Sequence, residues 1–269
     1  MMTRNKDSLG DRMKKNYEQP YRFYLTRRTP VIIRLDMNAG HSFTEEMTRP
    51  FDSIFVESMH NTCIALSEQI MNVEFAYTQS DEISLLLVDY RKLSSGQWLD
   101  GNIQKMVSIS ASIATIEFNR AYTHAILNHK ELTNEEVEKY TAKINKMTFD
   151  SRVFNIPDSE VVNYFIWRQT DCAKNSIQAA GQYYFSQNQL QNLNNNMIQE
   201  KLRGIGINWN SYPNYFKRGV CAIKESYTIH DELKNEDIKR YHWIVDYDIP
   251  IFTKDRDYIA IHLRQADDH

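Results

Sequence analysis

Hydrophobic and polar positions follow two alternating patterns over the first 157 residues of the chain. Residues 31–36 (VIIRLD) form a short, apolar and β-branched run that is typical of a buried strand. From about 49 to 70, apolar side chains recur at steps of three and four residues, which predicts an amphipathic helix. The segments VEFAY and ISLLLVDY flank TQSDE and predict a β-hairpin with a loop of about four or five residues. A second helix, over about 102–129, and a strand in FDSRVFNIP follow.

The order strand, helix, hairpin, helix, strand is that of a βαββαβ unit. We therefore predict an α+β fold built on an antiparallel ferredoxin-like sheet. The composition shifts after Pro157, where a long helix over about 159–186 leads into the Asn/Gln-rich QNQLQNLNNN and, further on, the strand-like YIAIHL. These features predict two regions. Residues 1–157 would form a palm-like domain with an N-terminal arm, and residues 158–269 a C-terminal helical/β extension that packs on the palm.

Composition narrows the class of protein only slightly. The 269 residues are 42% hydrophobic and 25% charged, close to globular averages. We expect no membrane association, because no apolar run approaches the roughly 18 residues of a span and no secretory signal is visible. Three widely spaced cysteines without a C-x-x-C motif favour reduced thiols in the cytoplasm over a zinc site or disulfides. The net charge of −3 means that any RNA partner would need a local basic face.

Acidic residues occur where the predicted strands end. Asp36 ends the first strand, and Asp81 and Glu82 lie at the loop of the hairpin. In a βαββαβ sheet the first strand lies beside the hairpin, so Asp36 and Asp81 can lie close together and repel each other unless a cation lies between them. Oxygen ligands of this kind suit Mg²⁺, and two such ions serve a polymerase or cyclase palm. The alternative is a solvated acidic turn with Asp36 in a capping or loop role.

Four segments occur in an order and spacing that resemble a known family. They are VIIRLDMNAGHSF (31–43), YTQSDEISLLL (77–87), FDSRVFNIP (149–157) and YFIWRQTDCAKNSI (164–177). Together they resemble the tRNA(His) guanylyltransferase family. SLGDRMKKNYE and TRRTPVIIRLD are more similar to its guanylyltransferase-like branch of 3′–5′ RNA polymerases. The resemblance extends from about Asp7 to Lys224 and supports a polymerase palm in which the acids hold metal.

The resemblance implies a set of site residues. Asp36, Asp81 and Glu82 would be catalytic. Two Mg²⁺ ions per active site would be held by Asp36, the backbone carbonyl of Met37 and Asp81, with Glu82 supporting them. ATP or GTP would bind at a set of residues around these acids, namely Asp36, Met37, Asn38, Ala39, Gly40, His41, Arg49, Ser80, Asp81 and Lys105. RNA would be bound by Arg152, Lys174, Asn175, Lys217 and Arg218. For Tyr164 and Trp167, at helical spacing, we predict a place in the core rather than a role as base-stacking platforms.

Two departures from the family pattern bear on function. The family usually has Gly after the first Asp, whereas here Met37 follows Asp36 and the glycine comes at Gly40. Guanylyltransferases proper carry His-Ile-Asn-Asn-Leu-Tyr-Asn after the DC pair, where this chain has Ala-Lys-Asn-Ser-Ile-Gln-Ala at 173–179. That motif is associated with handling tRNA(His). Its loss favours template-dependent repair of truncated tRNA 5′ ends over addition of G at position −1.

The implied reaction begins with adenylylation of a 5′-monophosphorylated tRNA. The 3′-OH of an incoming nucleotide then attacks the activated phosphate, and the family typically forms homotetramers. Other functions remain open on the residues alone. A nucleotide-cyclase-like palm would use the same paired carboxylates without RNA. A catalytically silent nucleotide- or RNA-binding module would keep the palm without turnover.

Overall fold

The computed structural model describes residues 8–231 and 236–263, and its centre is a six-stranded antiparallel sheet. The strands are β1 (Val31–Met37), β2 (Val73–Gln79), β3 (Glu82–Leu87), β4 (Phe149–Asn155), β5 (Val220–Asp231) and β6 (Glu236–Asp246). Their order is β4-β1-β3-β2-β5-β6. The first four strands have the arrangement of a ferredoxin-like palm, which confirms the predicted fold class.

Helices connect and cover these strands. Those of the first region are α1 (Leu9–Met13), α2 (Gly40–Thr44), α3 (Ser53–Gln69), α4 (Ile103–Asn128) and α5 (Asn134–Thr141). Those that follow are α6 (Asp158–Tyr184), α7 (Gln187–Leu190), α8 (Asn195–Gly204), α9 (Asn214–Arg218) and α10 (Asp257–Ala260). None of the helices in the described part of the chain is long and apolar enough to cross a membrane.

One face of the sheet packs against α3 and α4 and forms the larger core. Ile33 and Leu35 of β1 point to this face and are fully buried against Phe118 of α4. The start of α3 is fixed by Asp52, whose carboxylate accepts a hydrogen bond from the backbone N–H of Phe55 (2.9 Å). Such a cap satisfies an amide that the helix itself leaves unpaired.

The long helix α6 covers the opposite face. Ile32 of β1 and Phe75 of β2 point to that side, where they form a second buried cluster with Val161 and Phe165 of α6 and with Phe252. Because residues one apart in a strand alternate between faces, β1 contributes Ile32, Arg34 and Asp36 to the side of α6. Asp36 therefore lies near the end of β1, on the face of the sheet that α6 covers.

The C-terminal region continues the palm sheet. Three residues of β5, Val220–Ala222, pair with β2, and β6 pairs with β5. Gly219 makes the approach possible: its φ is +75°, and a methyl group there would lie 2.5 Å from the carbonyl oxygen of Thr78. The boundary between regions 1–157 and 158–269 stays a prediction, and their ends at 1–7 and 264–269 lie outside the described residues.

Several elements differ from the predictions. The hairpin turn has two residues, Ser80 and Asp81, because Ser80 adopts the positive φ (+50°) that such turns require. The segment YIAIHL is helical rather than a strand, since its apolar run is too short for periodicity to decide. Strand β6 was missed, because its alternation of charged and aromatic residues is mostly solvent-exposed.

Candidate active site

Three carboxylates lie in a row across the sheet. Asp36 of β1 is paired in register with Glu82 of β3 on one side and with Asp150 of β4 on the other. Residues directly opposite each other in antiparallel strands project from the same face, so all three belong to the face that α6 covers. Sequence reasoning missed Asp150. Its signal was available, since it lies two residues before Arg152 in the recognised FDSR segment.

Asp81 approaches this row from the hairpin turn. Its backbone carbonyl accepts a hydrogen bond from the N–H of Met37 (3.1 Å), so the turn is tied to the end of β1. The Asp81 carboxylate lies over Gly40, where an added methyl group would clash with Oδ2. A glycine at position 40 thus lets the Asp81 carboxylate approach the backbone closely. The residue with the left-handed backbone conformation in this loop is Ala39 (φ +54°).

The electrostatics of Asp36 fit a cation site. Burial raises the pKa of the Asp36 carboxyl above its usual range, and the nearby charges of Asp81 and Asp150 raise it further. A bound cation would relieve this repulsion. Within residues 8–231 and 236–263, no three His, Cys, Asp or Glu side chains gather into a metal-binding group. The candidate donors are therefore two carboxylates with backbone oxygens, a set that suits an ion retaining several waters.

Glu82 has a different role from its neighbours. Its Oε1 accepts a hydrogen bond from Nε of Arg168 on α6 (2.7 Å), and each side chain is only 9% exposed. Arg168 also contacts Asp171 through Nη1 (2.9 Å). Burial raises the pKa of Glu82, and the charge of Arg168 lowers it. Because Glu82 is engaged by Arg168, it anchors α6 to the carboxylate row.

A cleft opens beside Asp81, between α2, the hairpin turn and the C-terminal half of α6. It is lined by Gly40, His41, Thr44, Arg49, Phe55, Ser80, Asp81, Asn175, Gln178, Ala179 and Gln182. It adjoins a more apolar cavity that shares Arg49, Ser80 and Asn175 and extends to Phe51 and Phe216. Five predicted nucleotide-binding residues and the predicted RNA contact Asn175 thus meet in one cleft of about 290 Å³.

Met37 and Asn38, between the acidic residue Asp36 and the cleft, fix the position of the backbone. The side chain of Met37 is buried in the larger core. Asn38 donates from its backbone N–H to the carbonyl of Thr148 (2.9 Å) and from its side-chain amide to the hydroxyl of Thr148 (3.0 Å). The loop is therefore held from two sides.

Two predicted contacts are not brought to the site. Lys105 lies in the first turn of α4, and α4 packs on the other face of the sheet. Phe149, which is opposite Met37 beside the carboxylates, donates its N–H to the hydroxyl of Thr115, one of the later residues of α4. Ten residues of helix separate the two positions by about 15 Å. Lys217, predicted to contact RNA, is buried and donates its ammonium to the carbonyl of Asn210 (2.6 Å).

The other predicted RNA contacts have mixed positions. Arg152 lies on β4 in register with Arg34, with a half-exposed side chain. Lys174 is exposed on α6, and the carbonyl of Arg218 accepts a hydrogen bond from the hydroxyl of Tyr77 (2.6 Å).

The prediction that both aromatic residues of the YFIW segment belong to the core is only half right. Tyr164 is buried and shares a hydrogen bond with Ser84 (2.8 Å). Trp167 is 48% exposed. It lies at the margin of the buried side of α6, since residues three apart are neighbours on a helix, and its ring centroid is 5.8 Å from that of Tyr164.

A ferredoxin-like sheet with carboxylates at its end and a cleft that contains Arg49 and Asp81 beside them is the architecture of a polymerase-type palm. Comparison with known proteins specifies the family. The family model described as tRNAHis guanylyltransferase (Thg1) matches residues 10–157. The chain belongs to this family of nucleotidyltransferases.

Solved structures and curated relatives agree with this assignment. A bacterial tRNA(His) guanylyltransferase (Thg1)-like protein in complex with ATP is 41% identical, with a TM-score of 0.82 over 96% of this chain and 100% of that chain. A bacterial Thg1-like protein in complex with GTP is 37% identical, with a TM-score of 0.73 over 96% of this chain and 99% of that chain. The tRNA(His) guanylyltransferase of Debaryomyces hansenii is 27% identical over 75% of this chain and 76% of that protein.

Proposed function

We propose that this protein adds nucleotides in the 3′–5′ direction to the 5′ end of tRNA, as template-dependent repair of truncated ends. The main support is the sequence of α6 where it lines the cleft. Gln178 and Ala179 face the cleft at positions where guanylyltransferases proper carry Tyr and Asn, whereas Asn175, which also lines the cleft, is the same in both. The greater identity to Thg1-like proteins (41% and 37%) than to the yeast guanylyltransferase (27%) points the same way.

In this proposal Asp36, Asp81 and the backbone carbonyl of Met37 would hold two Mg²⁺ ions. When bound, Mg²⁺ would lower the pKa of the attacking hydroxyl and neutralise charge on the phosphates. The fit rests on the raised pKa of Asp36, which reflects burial and unfavourable proximity to Asp81 and Asp150. Glu82 contributes by holding α6 in place through Arg168.

The reaction has two steps. A 5′-phosphate oxygen of the tRNA attacks the α-phosphorus of ATP (or GTP), so that the adenylyl (or guanylyl) group is transferred to the tRNA as a phosphoanhydride and pyrophosphate is released; this group leaves as AMP (or GMP) in the second step. The 3′-OH of the incoming nucleotide then attacks the 5′ phosphate, which forms the new phosphodiester and releases AMP. If the tRNA carries a 5′-triphosphate, pyrophosphate leaves directly. Arg49, which lines the cleft, would bind a nucleotide phosphate and stabilise charge on the leaving group.

The decisive experiment uses radiolabelled tRNA that lacks its first nucleotide, with Mg²⁺, ATP and all four nucleotides. Full-length tRNA(His) is tested in parallel. We expect the truncated tRNA to gain the complementary nucleotide and tRNA(His) to gain little. Asp81→Ala should abolish the reaction, whereas Glu200→Ala, a matched change at an exposed position of α8, should not.

Other outcomes identify the alternatives. Efficient addition of G to intact tRNA(His) at position −1 would make the protein a guanylyltransferase proper. A cyclic or dinucleotide product from ATP or GTP without RNA would indicate a cyclase-like palm. Failure to consume ATP with any RNA would indicate a silent binding module.

The proposal includes a homotetramer that resides in the cytoplasm. Cys63, Cys172 and Cys221 are free and buried, which is compatible with a reducing compartment. Light scattering of the purified protein should give about four times the chain mass of 31.8 kDa. Cell fractionation tests the location.

A further inference from the structure

An exposed tryptophan lies next to the carboxylate row and has no role in the reaction as described. Trp167 projects from α6 and keeps 48% of its surface exposed. The guanidinium of Arg168 lies 4.3 Å from the ring centroid, and that of Arg34 lies at 5.8 Å, near the limit of a cation–π contact. The indole is thus held in place without being covered.

Two arginines on the sheet extend this surface toward the active site. Arg34 of β1 and Arg152 of β4 are paired in register on the same face as Asp36. Arg34 precedes Asp36 by two residues, which is about 7 Å along a strand. We call Trp167, Arg34 and Arg152 the shelf.

Neither arginine of the shelf is strongly hydrogen-bonded to another described residue. The Nε of Arg34 is buried and has no hydrogen-bond partner among the described residues. Arg152 pairs with Asp150 at 3.5 Å, with side chains 50% and 46% exposed. An exposed pair of this kind contributes little, so a phosphate can take the place of Asp150.

Single exposed aromatic residues are ordinary on protein surfaces. Trp167 differs because its exposed ring, an unpaired arginine atom and a weakly paired arginine converge at the end of the sheet that holds Asp36. An aromatic face beside guanidinium groups binds nucleotides by base stacking and phosphate contact. Asp36, one of the two carboxylates at which the proposed reaction takes place, lies two residues after Arg34 on the same face.

We propose that the shelf receives the 5′-terminal nucleotide of the RNA substrate, an inference that rests on the proposed function. The base stacks on Trp167, and the 5′ phosphate lies against Arg34 and Arg152. The RNA end reaches Asp36 from the side of β4, whereas the nucleoside triphosphate occupies the cleft beside the hairpin turn. The two substrates meet at Asp36 and Asp81.

The test measures binding and turnover of the full chain with truncated, 5′-monophosphorylated tRNA. Trp167→Ala should weaken RNA binding about ten- to a hundred-fold, since base stacking on an aromatic ring contributes that much. The KM for tRNA should rise by a similar factor, with kcat at saturating tRNA and the Kd for ATP nearly unchanged. Trp167→Phe, which keeps an aromatic face, should retain most of the affinity.

Tyr183→Ala is the matched control. Tyr183 is an exposed aromatic residue of the same helix, about 160° around the axis from Trp167, and its loss should leave RNA binding within twofold. RNA should also quench the fluorescence of the wild-type protein, and Trp167→Phe should remove that quenching.

The outcomes separate this proposal from the proposed function. If the wild-type protein adds nucleotides but Trp167→Ala binds RNA within twofold of wild type, the shelf is refuted and the function stands. A parallel loss of ATP affinity would also refute it, because Trp167 would then act only through Arg168 and Glu82. If the wild-type protein adds no nucleotide to any RNA, the proposed function fails, and the binding and quenching data still decide whether RNA occupies the shelf.

Discussion

Replacement of Arg168 by Met tests whether α6 is anchored to the active site by an ion pair. The change removes the 2.7 Å contact with Glu82 and the 2.9 Å contact with Asp171. Loss of one partner of a buried pair costs about 3–5 kcal/mol, because the other charge is left uncompensated. This is a large part of the roughly 5–15 kcal/mol by which a protein is stable. For a chain of this size, we expect a fall in Tm of about 6–20 °C.

The pH dependence of this loss identifies the cause. Burial already raises the pKa of Glu82, and Arg168 opposes that shift. Without Arg168 the folded-state pKa of Glu82 rises further above its unfolded value of about 4.3. The folded state then binds more protons than the unfolded state, so stability falls as pH rises from the unfolded pKa to the folded pKa. Arg168→Met should therefore lose more stability at pH 8 than at pH 5.

Urea unfolding at the two pH values measures the effect. The double variant Glu82→Gln/Arg168→Met carries no buried carboxylate at position 82 and should recover most of the stability at pH 8. Equal losses at both pH values, or a double variant no more stable than Arg168→Met, would refute the reasoning. The structural role of Arg168 would then lie in its packing against Trp167.

Three further changes test the site and its supports. Gly40→Ala should lower kcat about a hundred-fold at nearly unchanged Tm, because the added methyl group displaces the Asp81 carboxylate; a kcat close to wild type would contradict the tight contact. Gly219→Ala should cost about 1–3 kcal/mol in urea unfolding, because φ is +75° there, and no loss would mean that the loop relaxes. Lys105→Ala should leave the Kd for ATP within twofold, and a tenfold loss would bring that residue back to the site.

The palm could be predicted from the sequence because its elements carry strong local patterns. The apolar run at 31–36 begins with three consecutive β-branched residues, which favours a strand, and the apolar periodicity of α3 continues over several turns, which favours a helix. The β5–β6 pair could not be predicted in the same way. Most residues of β6 are exposed, so they need not alternate between a buried and a solvated face. Pairing of β5 with β2 depends on a contact between residues far apart in the chain.

The acidic site was accessible because Asp36 and Asp81 follow strands whose adjacency the fold class dictates. The environment of each acidic side chain could not be predicted from the sequence. The sequence does not reveal that Arg168, on a helix 86 residues after Glu82, removes Glu82 from solvent. Helical spacing also does not show that Trp167 of α6 remains about half exposed. Periodicity assigns a residue to a side of the helix, but it does not show what packs against that side.

The β5–β6 pair has a consequence for local unfolding. Its backbone pairing with the palm is confined to Val220–Ala222, and Lys224 and Trp243 add an ion pair with Glu74 and packing on the larger core. Beyond these residues the two strands pair with each other over mostly exposed positions. An isolated two-stranded ribbon is marginally stable in water. Amide hydrogens of 225–231 and 236–242 should therefore exchange with solvent far faster than those of β1, and they should do so without unfolding of the palm. One continuous sheet is thus expected to combine a persistent region with an end, distal to the palm, that opens by itself.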